Sequence, residues 1–255
     1  MANSISWKKI FDDYKILSHN FNVEPFTITA KQIKTACQNF KKTGEKEVRI
    51  LCKQDSRNDR PQVFIDNELF LLPIKNGIYN IVKGEGYVDI PEITTPIVPY
   101  LSKLDFKLET SEIGNSEMQH LDFAYASSLI RTFMNDQSLV LTIRGRKYTP
   151  PFSFFVKKQF IQTISVQTEV DAGFEGKNNI VLIEAKNSKT SNTIIRQLFY
   201  PYKQWKTYTK KDVSLLFFEK RGNSFYIWQY GFKDENNYNS ITLLKSARYS
   251  IKSPK

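Results

Sequence analysis

Gln167-Thr168-Glu169-Val170-Asp171-Ala172-Gly173-Phe174-Glu175-Gly176, continued through Asn179-Ile180-Val181-Leu182-Ile183-Glu184-Ala185-Lys186, is the stretch on which the reading of this chain turns. It reads as two strands joined by a glycine-containing turn between Gly173 and Asn179. Val181, Leu182 and Ile183 form a short apolar run, the pattern of a strand buried on both faces. Glu184 and Lys186 follow it two positions apart, so alternation puts them on one face. The same alternation groups Gln167, Glu169 and Asp171, with Asp171 closing its strand. Pairing through the turn brings Asp171 to Glu184 and Lys186 at one end of a sheet. Two carboxylates and an ammonium sharing a pocket outline a metal-dependent site for phosphodiester cleavage.

In such a site Asp171 and Glu184 hold Mg²⁺ through oxygen, with the Ala185 carbonyl as a third ligand. The ion would neutralise the scissile phosphate and lower the pKa of a bound water. Lys186 would orient or help deprotonate that water and offset charge in the transition state. The plainer reading is a Glu184–Lys186 salt bridge at a strand end. Glu-Ala-Lys alone is a weak string, and it is the aliphatic strand before it and Asp171 upstream that favour catalysis. Glu169 and Gln167, on the Asp171 face of a regular strand, can reach the metal's water shell or a second ion. Glu169 can equally neutralise a nearby lysine. Glu175, in the turn, could replace Asp171 if the strand ended later. Glu117 is more simply a favourable charge in the first turn of a helix.

Outward from this stretch, apolar spacing predicts helices over 7–18, over about 29–40 and after Ser116. Thr29 with Gln32 and Ser116 with Gln119 suit capping boxes, and Ile28 with Ile33 a hydrophobic staple. Short strands are expected at 47–52, 62–65, 69–74 and 77–82. Residues 84–105, with Pro91, Pro96 and Pro99, read as an irregular connection, so the chain divides into an N-terminal α+β region at 1–105 and a core at 106–255. The core is expected to hold a strand at Leu139–Ile143, then a basic loop, Arg144-Gly145-Arg146-Lys147. Strands follow at 160–171 and 180–186, then a helix over 192–208 kinked or broken at Pro201. Strands near 213–219 and 224–230, a polar turn at 236–240, a last short strand and a basic tail complete it.

Lys and Arg number 37 against 26 Asp and Glu, a formal net charge of +11. That excess favours polyanions, nucleic acid or an acidic membrane surface. Arg144, Arg146 and Lys147 are the first candidate DNA contacts, since arginine grips phosphate or reads guanine edges bidentately; the plain alternative is a solvated basic turn. Lys189, Arg196 and Gln197 flank the acidic strand and suit backbone contacts. Two cysteines, Cys37 and Cys52, without zinc spacing fit a reducing cytoplasm. Two histidines, His19 and His120, argue against a histidine-dependent nuclease and against most Ser-His-Asp hydrolases. No apolar run approaches the roughly 20 residues of a membrane span, and the N-terminus lacks a secretory pattern. A soluble, cytoplasmic protein is expected.

Asp171, twelve intervening residues and Glu184-Ala185-Lys186 together resemble the PD-(D/E)xK nuclease signature, with Val170 where proline is usual. More widely, Gln167 to Gly176, Ile143-Arg144-Gly145-Arg146 and Arg196-Gln197-Leu198-Phe199-Tyr200-Pro201-Tyr202 resemble a family of bacterial type II restriction endonucleases. Val48-Arg49-Ile50-Leu51 with Lys53-Gln54-Asp55 is similar to that family's N-terminal region. The expected α-β-β-β-α-β series is similar to its nuclease core. The resemblance implies a mixed sheet flanked by helices, Mg²⁺-dependent cleavage of both strands of double-stranded DNA, and a cognate methyltransferase. A palindromic site would be matched by a homodimer. The N-terminal region would supply recognition or dimer contacts. Two other readings stand beside this one: a repair or recombination nuclease that reads DNA structure, and a non-catalytic DNA-binding module with a decayed core.

Overall fold

A computed structural model describes residues 2–252; the last three residues of the basic tail lie outside them. The chain begins with α1 (Ala2–Asp13), β1 (Phe26–Thr29), α2 (Ala30–Cys37), α3 (Thr43–Lys46), α4 (Val48–Leu51), α5 (Gln62–Asp66), β2 (Leu69–Lys75) and β3 (Ile78–Lys83). β1, β3 and β2 form a three-stranded antiparallel sheet. Thr29 caps α2 in a complete capping box with Gln32, and Ile28 and Ile33 are buried in one cluster, as the staple requires.

Two expected strands here are helices. Val48 to Leu51 alternates like a strand but forms α4, where Leu51 is buried and its carbonyl accepts from Trp7 Nε1 at 2.9 Å. Gln62 to Ile65 lies in α5, directly after Pro61, whose fixed φ suits a helix start. Phe64 of α5 packs edge-on against Trp7 and Phe11, at 4.8 and 5.2 Å between ring centres. Tertiary packing of aromatic side chains outweighs local β preference at both places.

The chain continues with β4 (Tyr87–Asp89), β5 (Val98–Leu101), α6 (Glu117–Ala126), α7 (Leu129–Met134), β6 (Val140–Tyr148), β7 (Phe152–Val156), β8 (Gln159–Thr163), β9 (Gln167–Glu175), β10 (Asn179–Lys186), β11 (Asn192–Ile194), α8 (Arg196–Tyr208), β12 (Asp212–Arg221), β13 (Ser224–Phe232) and β14 (Ile241–Lys252). A seven-stranded mixed sheet runs β5-β14-β13-β12-β10-β9-β6, with β10 parallel to β12. The chain is thus an α+β protein. α6 and α7 cover one face through Leu121, Leu129 and Phe133, packed on Val181, Ile183 and Ala185. α8 covers the other through Leu198, packed with Leu182 and Val170.

The segment 84–105 is more ordered than its prolines suggest: β4 pairs with β11, and β5 pairs with β14 as an edge strand of the large sheet. The span 160–171 is divided between β8 and β9, because β7 and β8 form a separate hairpin. α8 runs through Pro201 without a break. The last strand is long, twelve residues rather than a short one.

Candidate active site

β9 and β10 pair from Glu175↔Ile180 to Ala172↔Ile183 and then part. The turn between them is therefore at 176–178, not at Gly173, and β9 continues past Asp171 to Glu175. Gly173 sits inside the strand, opposite Ile143 of β6. A Cβ there would lie 2.6 Å from the Ile143 Cβ, so the glycine serves close packing.

The two acids meet where the strands part. Asp171 Oδ2 accepts from the Ala185 N–H at 2.7 Å, and Lys186 Nζ donates to Glu184 Oε1 at 2.5 Å. β9 is not regular at this point. Gly145 pairs with Val170 and Ile143 with Gly173, so Arg144 faces both Asp171 and Ala172, a β-bulge. Its effect shows in the packing: Val170 joins the α8-side core, whereas Ala172, two residues on, joins the α6-side core. Simple alternation from Gln167 and Glu169 to Asp171 therefore fails, and the bulge re-aims the aspartate. Gly145, at φ 75°, supplies the backbone freedom on the facing strand.

A cavity of about 430 Å³ opens at this point. Asp171, Glu184, Lys186, Glu169, Arg146, Arg196 and Gln197 all line it, together with Gln167 and Glu117. Lys53, Asp55 and Tyr200 also line it, and the reading of the sequence assigned them no role. Asp55 arrives from the N-terminal region because its carbonyl accepts from the Ile194 N–H at 2.8 Å, just before α8. Its carboxylate lies 3.7 Å from both Arg196 and Lys53. The local string Lys53-Gln54-Asp55 carries no trace of that long-range contact. Tyr200 sits one helical turn from Arg196 and is anchored by its hydroxyl to the Pro73 carbonyl at 3.0 Å.

Other expected contacts lie elsewhere. The Arg144-Gly145-Arg146-Lys147 cluster is part of β6, not a loop. Arg144 leaves the cavity to bond Asp122 of α6, and its second nitrogen approaches Met118 Sδ at 3.1 Å. Arg146 pairs with Glu169 at 3.1 Å, so Glu169 neutralises an arginine rather than a lysine. Lys147 is exposed on β6 beyond the cavity wall, and Lys189 pairs with Glu92 at 2.9 Å. Glu175 is held by Lys211 at 2.5 Å at the far end of β9, too distant to stand in for Asp171. Ser116 does cap α6 by accepting from the Gln119 amide, but the Gln119 side chain turns away to the Thr110 and Ile113 carbonyls, so that box is incomplete.

The electrostatics follow from the burial. Burial pushes Glu184 up to about 7, with Asp171 and Asp55 adding to the rise and Lys186 opposing it. Burial likewise raises Asp171, against the Ala185 hydrogen bond and the Lys186 charge. Burial alone would lower Lys186, but the Glu184 carboxylate beside it outweighs that and holds it above its ordinary value. Lys186 is therefore an ammonium, a donor rather than a base. Five acids line the cavity, and burial raises Asp171 and Glu184 among them, an arrangement that a hard cation would relieve. Among the described residues no three acid, histidine or cysteine side chains are already gathered as a closed metal cluster. Asp171 and Glu184 are the two oxygen donors that fit a divalent ion. No helix among the described residues is long and apolar enough to cross a membrane.

Two family models match the chain end to end. Residues 4–81 match Domain of unknown function (DUF6996), and residues 82–250 match Domain of unknown function (DUF6997). The border falls within β3, so Asp55 and Lys53 come from one match, and Asp171, Glu184 and Lys186 from the other. Neither the comparison with curated proteins nor that with solved structures gave a match. With two thirds of its length in the second match, the chain belongs to the DUF6997 family.

Proposed function

We propose that the protein is a type II restriction endonuclease of the PD-(D/E)xK kind, cleaving both strands of double-stranded DNA at a specific site with Mg²⁺. One observation carries the reading: Asp171, Glu184 and Lys186 converge in a single cavity where β9 and β10 part. The element series α6, β6, β9, β10, α8, β12, interrupted by α7, the β7–β8 hairpin and β11, supports the same core.

Asp171, Glu184 and the Ala185 carbonyl would hold the ion, which when bound neutralises phosphate charge and acidifies water. Lys186, kept protonated by Glu184, donates to the attacking water or to the phosphate oxygens as negative charge builds on them. Water oxygen bonds to phosphorus as the bond to the leaving sugar oxygen breaks; the attacking water gives up one proton to solvent, and the leaving oxygen takes one up from solvent. Arg196 stands in the first turn of α8, where the helix amides already favour an anion. Together they form a positive wall facing the acids. The Gln197 carbonyl beside it has no i+4 amide donor because residue 201 is proline. Glu169 then balances Arg146 at the cavity rim. Dimerisation, a partner methyltransferase and a cytoplasmic location belong to the same proposal.

Digestion of unmodified plasmid DNA with Mg²⁺ and with a chelator tests it. Discrete fragments that require Mg²⁺ are expected. Cleavage of branched or nicked DNA alone would favour a structure-reading repair nuclease, and binding without cleavage a non-catalytic module.

A further inference from the structure

The β7–β8 hairpin is not needed to close the large sheet. It continues the β6–β9 pair past the bond from the Thr149 amide to the Val166 carbonyl, with Pro150 and Pro151 at the bend. One side of it is bolted to the protein. Phe154 and Ile161 are buried with Val166, Phe199 and Tyr200, and Phe154 meets the Phe199 ring at 4.9 Å. Gln159 donates to the Lys83 carbonyl at 2.7 Å, tying the tip to β3. Because Val166 and the hairpin's inner residues share that core, both halves of the ribbon turn the same back to the protein. Their outer faces are therefore continuous, and the β6–β9 half carries Arg146, Gln167 and Glu169 of the cavity.

The outer face of the hairpin presents Ser153, Phe155, Phe160 and Gln162 to solvent. Phe155 and Phe160 are 44% and 53% exposed, with rings 5.4 Å apart, and the Phe155 amide is tied at the ribbon's edge to the Asn236 carbonyl at 2.7 Å. The Ser153 hydroxyl and the Gln162 amide make no hydrogen bond among the described residues. At the tip a two-residue turn holds Lys157 and Lys158. Lys157 adopts φ 52°, a conformation glycine or asparagine takes more readily, so a lysine is kept there at some cost in strain. Neither lysine forms an ion pair among the described residues.

We propose that this ribbon is the base-reading element of the protein and enters the major groove of double-stranded DNA; the inference rests on the DNA-cleaving function above. A two-stranded ribbon fits a groove about 12 Å wide, where amide and hydroxyl groups meet base edges and apolar rings meet thymine methyls. Gln162 and Ser153 supply the first, Phe155 and Phe160 the second, and Lys157 and Lys158 reach the flanking phosphates. Gln162 lies nine residues from Asp171, at most about 30 Å along an extended strand. The base pairs read therefore lie within about one helical turn of the phosphate that is cut.

The experiment compares variants that leave the fold intact. Lys157→Gly with Lys158→Ala relieves the positive φ while removing the tip charges. Phe160→Ala with Gln162→Ala alters only exposed side chains. Binding to plasmid-derived duplexes is measured across salt concentrations with Lys186→Ala as the cleavage-inactive parent. The lysine change should lower the slope of log K against log salt by about one per lost phosphate contact. The Phe160 and Gln162 change, in otherwise wild-type protein, should blur or abolish the discrete digestion pattern, with about tenfold to hundredfold weaker discrimination. Unchanged salt slope and unchanged fragments would overturn the ribbon's role while leaving the cleavage centre standing. A parent that binds no duplex at all would overturn both.

Discussion

β10 and β12 are parallel neighbours that end alike: one closes on Glu184-Ala185-Lys186, the other on Glu219-Lys220-Arg221, and Lys186 lies beside Glu219 in the register. Each places a glutamate, fully buried at 219 and largely buried at 184, two residues before a cation on the same face. Glu219 is fully answered. It accepts from Arg221 Nε at 2.6 Å and from the Thr190 amide at 2.9 Å. Arg221 in turn reaches Glu92 at 2.9 Å and stacks over Tyr226, 4.3 Å from the ring centre. Among the described residues Glu184 has only Lys186 as a cation in hydrogen-bond contact, and Asp171 and Asp55 press on it from the cavity. The same tripeptide pattern yields a structural clamp in one strand and the proposed reactive centre in the other. What separates them is the second acid that the β9 bulge brings in.

The largest effect should fall on activity. Lys186→Ala or Asp171→Asn should each lower Mg²⁺-dependent cleavage by about a thousandfold or more. Arg221→Met, assayed where it remains folded, should keep cleavage near the wild-type rate. A comparable loss in all three would erase the distinction. On stability the order reverses. Glu219→Gln leaves the largely buried Arg221 guanidinium with only the more exposed Glu92 as counter-charge and should cost about 3 kcal/mol in denaturant unfolding. Glu184→Gln should cost far less, because its charge is already opposed by burial and by Asp171.

Burial raises the Glu219 carboxyl as it does Glu184, so pH acts on both strands, and the Glu184→Gln variant isolates the β10 part. The Glu184 carboxyl titrates at about 7 in the folded chain against 4.5 as its ordinary value, so the folded state holds its proton longer. Stability from this group therefore falls as pH rises from about 4.5 to about 7 and is level above. Thermal melts should show that decline in the wild type and a shallower one in Glu184→Gln, where the raised Asp171 and Glu219 carboxyls still contribute. Mg²⁺ at pH 8 should raise the wild-type midpoint more than that of the variant. A smaller effect tests the geometry of β9: Gly173→Ala forces a methyl against Ile143 and should destabilise by about 1–3 kcal/mol. The smallest lies far from both strands. Thr29→Ala removes the α2 cap and should cost about 1 kcal/mol with cleavage unchanged.

The acidic strand was legible because its signals are local. The Val181-Leu182-Ile183 run and the two-residue spacing of Glu184 and Lys186 are properties of one strand, and β10 has that form. Asp171 was found for a partly mistaken reason, since alternation knows nothing of a bulge that depends on pairing with β6. Asp55 and Lys53 were invisible as site residues because their position depends on a bond 139 residues away, from Ile194 to Asp55. Glu117 was read only as a helix-start charge. It does begin α6, and the same placement lets it line the cavity. The strands expected at 47–52 and 62–65 failed for a related reason: a cluster around Trp7 and Phe64 decides the backbone there, and no window of a few residues contains it.

The most direct test of the central claim is digestion of unmodified plasmid DNA by the wild type and by Lys186→Ala, each with and without Mg²⁺. The account predicts discrete fragments from the wild type with Mg²⁺ only, and none from the variant under any condition. Equal cleavage by both proteins, or cleavage indifferent to Mg²⁺, would contradict it.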